Sequence, residues 1–404
     1  MNKRKHLKQY CITIMIIIII STVSIQGVRI NNITNRNVYM KSSFPIRSSF
    51  YADNPECWLV LYNANYRSSV AWANWYQQQR NIPTENMLGL RTTNLEHLDT
   101  LEDVQNDILN PVRNYLNNHP QIRHRLIGFI VGYMLPGHYG TPYEGSDWPQ
   151  IGGFSIANEL QCLTIDRSME FNYDCPKYVD ISNTLPPERL NRATMTNDRY
   201  MSTRMDGPTI DSVKALTTRA KAIENDKTLL GYIWYDYTDS ALPSSTWHWL
   251  KYGIDNTIPN TLPLLSFDAD TEQTPYDAFR FGTHDINGWD DTRLDGRPAG
   301  PRILAYNLNS FGAITVRDIH DGEDYATGVY VPNAINAGYA SAIGATGEPQ
   351  YFSGPFPDVI LSVMLEGWTL GEAFYLGNGY HNWFWEVNGD PFLALKNSNL
   401  TPPN

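Results

Sequence analysis

The run PRILAYNLNSFGAITVR, residues 301–317, decides how this chain is read. A short apolar segment, Ile303-Leu304-Ala305-Tyr306, leads into a polar turn of small residues, Asn307-Leu308-Asn309-Ser310-Phe311-Gly312. An apolar run without alternation is what a strand covered on both faces looks like, and that is the strand of a parallel α/β sheet. The carboxyl end of such a strand opens into the crevice where ligands sit. Ser310 is therefore the candidate reactive group, with Asn309 and Gly312 beside it as candidate binding residues.

Working outward, the same punctuation recurs. Cys57-Trp58-Leu59-Val60-Leu61-Tyr62 reads as a buried strand, followed by a turn and a helix. Ser68 and Ser69 are the expected caps of that helix, Trp72, Trp75, Tyr76 and Gln79 its face, and Ile82-Pro83 its end. Residues 87–90 form a second strand. Thr100-Leu101-Glu102-Asp103 opens a helix in the manner of a capping box, and Pro111 is expected to kink or split it. Residues 125–134 form a third strand. Strand, helix, strand, helix, strand predicts a doubly wound, mostly parallel α/β sheet with helices on both faces.

Downstream, further strands are expected at 199–204, 229–235, 262–267, 279–282, 341–345 and 383–387. Helices are expected at 209–225, 244–252, 331–337 and 358–366, with another opening at Thr369-Leu370-Gly371-Glu372. Residues 55–396 make one α/β domain, with an irregular insertion at about 136–185 and a tail at 397–404.

Composition is that of a globular protein with a large core. Among 404 residues there are 11 Trp and 25 Tyr, and charged residues are 18%. The formal net charge of −11 excludes nucleic acid as the main partner, because phosphate binding needs clustered Lys and Arg. Lys3, Arg4, Lys5 and Lys8 precede the apolar run 11–20, and small polar residues follow. That order makes 1–27 a secretory signal, or alternatively an uncleaved N-terminal anchor, and 28–54 a polar linker. The chain is expected to be secreted or held in the cell envelope, touching membrane only through that segment. Export permits disulfides, and Cys162 and Cys175 are the expected pair, with Cys57 a buried thiol. The Cys and His spacings make no zinc site.

Several pieces in order carry a resemblance: 59–65 with its helix, Arg204-Met205-Asp206-Gly207-Pro208 with its helix and Glu224, Asn309-Ser310-Phe311-Gly312, Gly344-Ala345-Thr346-Gly347-Glu348-Pro349, the run 366–373, and Gly389-Asp390-Pro391. Together they resemble an uncharacterised secreted family found in bacteria with the exosortase sorting system. The order is also similar, more distantly, to the gingipain-type, caspase-like cysteine peptidases. That second resemblance implies a His motif at Phe279-Arg280-Phe281-Gly282-Thr283-His284-Asp285 and a nucleophile motif at 307–311. No Cys follows Cys175, so a cysteine peptidase is excluded on this alignment, and Ser310 is the nearby replacement.

A serine needs a base and an oxyanion site. His284 is the candidate base, Asp285 or Asp290 its orienting group, and the N–H groups of Phe311 and Gly312 the oxyanion donors. Asp285, Asn287 and Asp290, around Gly288, also carry the oxygen ligands that Ca²⁺ takes, but the distal Glu of an EF-hand is missing and a solvated turn is the preferred reading. No other cofactor is implied. Asp206-Gly207 and Gly389-Asp390-Pro391 read as turn and cap chemistry, while Asp206 and Glu348 are also candidate binding residues of the crevice. Two functions follow. One is a non-catalytic binding protein that takes a cell-surface polymer or protein. The other is a serine-dependent, peptidase-like hydrolase using Ser310 and His284.

Overall fold

A computed structural model describes residues 51–140, 153–163, 189–190, 195, 199–237, 264–268, 277–282, 301–307, 311–317, 330–347, 355–378, 384–396 and 399–401. At its centre is a ten-stranded sheet. In chain order the strands are β1 (Trp58–Asn63), β2 (Met87–Leu90), β3 (Gly128–Val131), β4 (Met201–Arg204), β5 (Tyr232–Tyr237), β6 (Leu264–Asp268), β7 (Asp277–Gly282), β8 (Leu304–Asn307), β9 (Ser341–Ala345) and β10 (Trp385–Gly389). They lie side by side as β6-β5-β7-β8-β9-β10-β4-β3-β1-β2. The four strands β2-β1-β3-β4 pair in parallel, as do the five strands β6-β5-β7-β8-β9. Between these halves β10 runs antiparallel to β9 and meets β4 at Asn388 and Arg204. The chain is thus an α/β protein with a doubly wound, mostly parallel sheet.

Successive residues of β1 point to opposite faces, and both faces are covered. Trp58 and Val60 pack with Trp72 and Tyr76 of the helix Arg67–Arg80 and with Val213 and Leu216 of the helix Ile210–Asn225. Leu59 and Leu61 pack with Ile108, Val112, Ile122 and Leu160 on the other side. This is why β1 carries no polar alternation.

Several local expectations are met. Thr100 and Asp103 form a reciprocal capping box, and Thr369 and Glu372 form another. Pro111 does split its helix: a π-helical turn, Gln105–Leu109, precedes the α-helix Asn110–Asn118. A proline inside a helix offers no N–H to the carbonyl four residues back and crowds it, and a widened turn relieves both.

Other expectations are corrected. The helix Arg67–Arg80 starts from Tyr66 without a side-chain cap. Ser69 lies inside its first turn instead, accepting the Asn63 N–H at 2.9 Å and donating to the Tyr133 carbonyl. That helix stops at Asn81, in the left-handed backbone region (φ 53°), before Ile82-Pro83. Residues 229–235 are not one strand: Thr228–Leu230 pairs with Asn399–Thr401 in a separate ribbon, and only Tyr232–Tyr237 enters the main sheet. Asn307 belongs to strand β8 rather than to the turn.

Within 136–185, the described residues include short regular elements. His138–Tyr139 and Phe154–Ser155 pair with each other, His138–Tyr139 also pairs with His97–Leu98, and the helix Ile156–Gln161 follows. Two-residue strands are too short to show any periodicity. The expected helix at 244–252 lies outside the described residues. Among the described residues, no helix is long and apolar enough to cross a membrane.

Candidate functional site

Residues that follow the carboxyl ends of both parallel halves meet in one buried polar cluster. Arg204 closes strand β4 and Asp206 follows it; both are buried. Arg204 Nη2 lies 2.7 Å from Asp206 Oδ2 and 3.1 Å from the Leu135 carbonyl. Its Nη1 lies 3.7 Å from Glu386 Oε1, at the start of β10. Asp206 Oδ1 also accepts the Gly207 N–H at 2.9 Å, which is the turn chemistry expected of Asp206-Gly207.

From the second half comes Arg317, at the end of the segment 311–317. It donates to Asp206, to the carbonyls of Leu95 and Leu135, and to Glu96 Oε1 at 2.9 Å. The segment crosses the sheet edge as a strap. The Phe311 N–H bonds to the Gly347 carbonyl, the Ala313 N–H to the Ala345 carbonyl, and the Val331 N–H to the Gly312 carbonyl. Phe311 takes a left-handed backbone (φ 60°) to enter it. The Phe311 N–H is therefore already used, and the oxyanion pair expected from Phe311 and Gly312 is not formed.

Glu386 is the second buried acid. Its Oε2 accepts from Ser155 Oγ at 3.2 Å and its Oε1 from Asn388 Nδ2 at 3.1 Å. Burial raises its pKa above the ordinary carboxylate value, while Arg204 pulls the other way. Ser155 also caps the helix Ile156–Gln161 through the Asn158 N–H, so its hydroxyl is engaged on both sides.

His138 pairs in register with Ser155 and stacks on His97, with ring centroids 5.7 Å apart. It is 3% exposed, and its Nδ1 has no partner. Burial, helped by the positive field of Arg204 and by His97, pushes its pKa down to about 3. At neutral pH it is a neutral imidazole and a weak base. Next to it, a Cβ on Gly137 would stand 1.8 Å from Arg204 Nη1, so only glycine lets the guanidinium lie where it does.

Of the residues singled out from sequence, Asp206 and Gly312 are described, the first in the cluster and the second in the strap. Ser310, His284, Asp285, Asn287, Asp290, Asn309 and Glu348 lie outside the described residues. So does Cys175; Cys162 is buried just after the helix Ile156–Gln161. Cys57 is buried, which drives its thiol pKa up to about 12 and makes it a poor nucleophile.

Sequence reading did not single out Glu386, and named Arg204 only as part of the motif 204–208; for Glu386, a charge between Trp385 and Val387 was a usable signal. His138, Ser155 and Arg317 carried none.

Asp390 and Glu372 belong elsewhere. Asp390 Oδ2 lies 2.8 Å from Arg80 Nε, and Arg80 also grips Glu224 at 2.7 Å. Glu372 Oε2 lies 2.6 Å from Arg189, which reaches Asp53 as well. Trp58, the first residue of β1, packs against Gly371 and Phe392, so these pairs sit at the amino edge of the sheet.

No family model and no curated protein matches the chain. A solved structure described as "Structure of Protease" superposes on it with a TM-score of 0.42 and 12% identity, over 83% of this chain and 78% of that one. That is a likeness of chain path, and no activity is carried over from it.

Proposed function

We propose that this chain is an exported binding protein of the cell surface or envelope, whose ligand seats on the polar cluster at the carboxyl edge of the sheet. The observation that carries this reading is the state of the ionisable groups there. Asp206 is held by two guanidiniums and a backbone N–H, Glu386 by Ser155 and Asn388, and His138 stays neutral. Among the described residues of the cluster, the hydroxyl that meets Glu386 is that of Ser155, and it is buried and tied to the Asn158 N–H as a helix cap. At the same time His138 Nδ1 and Asn388 Oδ1 are buried without partners, the condition that a ligand's polar groups relieve. Secretion follows from the basic and apolar N-terminal segment, and a surface polymer or protein is the partner class. The family expectation, a secreted chain of exosortase-carrying bacteria with a caspase-like sheet, agrees with this role.

The test uses the exported part of the chain and a fluorophosphonate probe, with cell-envelope material as the ligand source. The expected result is no labelling, together with retention of an envelope component that is lost in His138→Phe at unchanged fold. Labelling that disappears in Ser310→Ala would overturn the proposal in favour of a serine hydrolase.

A further inference from the structure

Asn307 ends strand β8 and is fully buried, yet neither its Oδ1 nor its Nδ2 has a hydrogen-bond partner among the described residues. A buried primary amide with both ends unmet is destabilising by more than one ordinary hydrogen bond, and native chains keep few of them. Its surroundings are specific. Tyr306 pairs with Ile343, and Ile343 with Val387, so these three share a face. Asn307, Gly344 and Glu386 therefore form the row on the opposite face, because side chains alternate along each strand. On the other flank Asn307 is paired with Gly282. The amide thus stands between two glycines. The space above Gly344 is filled by the strap, with Gly312 and Ala313 within 3.2 Å of where its Cβ would be. The end of β8 is also the edge at which α/β sheets take ligands.

We infer that Asn307 is a recognition residue for a peptide-like amide. An Asn side chain offers one acceptor and one donor group along one edge, and a partner that meets both at once is the N–H and C=O flanking one Cα of an extended peptide, since within a single trans peptide group the two point opposite ways. This deepens the binding role proposed above and rests on it: the surface ligand is a polypeptide segment, the N–H and C=O of one of whose residues pair with Asn307 beside the strap. A carboxylate ligand would leave Oδ1 unmet, and an ammonium would leave Nδ2 unmet.

The test is read on the side-chain amide of Asn307 itself. In the ¹⁵N-labelled exported part, the Nδ2H₂ signal is assigned by its loss in Asn307→Leu. N-acetylglycine N-methylamide is then titrated in, with sodium acetate as the control. The expected result is a saturable shift of that signal with the amide and none with acetate. Asn307→Leu, which keeps the size and removes the unmet groups, is expected to melt higher than wild type while its retention of envelope polypeptide falls at least tenfold. A signal unmoved by the amide overturns the inference, as does a lower melting temperature in Asn307→Leu, which would mean that the amide is internally satisfied. If envelope material is retained equally by wild type and Asn307→Leu but not by His138→Phe, this inference falls and the binding role stands. If the amide shifts the signal yet nothing from the envelope is retained, the binding role falls instead.

Discussion

At the scale of single residues, His138 couples the cluster to pH. Its folded pKa of about 3 lies below the ordinary 6.5, so the fold favours the neutral ring. The unfolded chain takes up a proton below 6.5 that the folded chain refuses. The stability it contributes is therefore complete above about pH 6.5, declines as the pH falls toward 3, and is flat below that. Between pH 7 and pH 5 this amounts to about 2 kcal/mol. Urea midpoints of wild type and His138→Gln at the two pH values check it: the variant is expected to lose less stability on acidification, by roughly that amount. Equal losses would mean that the ring is already protonated in the fold.

At the scale of elements, the turn between β3 and His138–Tyr139 and strand β4 are fitted to each other through Gly137 and Arg204. Gly137→Ala would drive a methyl into the guanidinium, and the Asp206 and Glu386 contacts would shift with it. An overpacking of this kind costs about 1–3 kcal/mol. The expected result is a lower urea midpoint together with weaker ligand retention, because the displaced guanidinium is part of the proposed seat. These elements also show what a sequence conceals. The helix break at Pro111 and the capping boxes at Thr100 and Thr369 are local events, governed by residues within about one turn of each other, and they read correctly, although the π-helical form of the break was not foreseen. Ser69 looks like a cap and is not one, because its hydroxyl finds the Asn63 N–H and the Tyr133 carbonyl, 64 residues away in the second case.

For the whole molecule, the two edges of the sheet have different work. The carboxyl edge gathers Arg204, Asp206, Glu386, Arg317 and His138. The amino edge is closed by Arg80 with Asp390 and Glu224, and by Arg189 with Glu372 and Asp53. Arg80→Met would leave two nearly buried carboxylates without their cation, an expected loss of about 3–5 kcal/mol. Ligand retention by the folded fraction is expected to be unchanged, since the carboxyl edge is untouched. A loss of retention at full foldedness would show that the edges are coupled.

The sequence by itself determined the sheet and its kind. Short apolar runs such as Trp58–Asn63 and Ser341–Ala345, separated by helical periods, can bury their faces only in a parallel α/β arrangement, and that information is local. Only the tertiary structure decided which polar residues meet. Asp206 looked like a turn former because its contact with the Gly207 N–H is one residue away. Its contact with Arg317 spans 111 positions. Asn307 looked like a turn residue, and register placed it between Gly282 and the position beside Gly344. Charge pairing and hydrogen-bond deficits depend on distances in space, and no spacing along the chain encodes them.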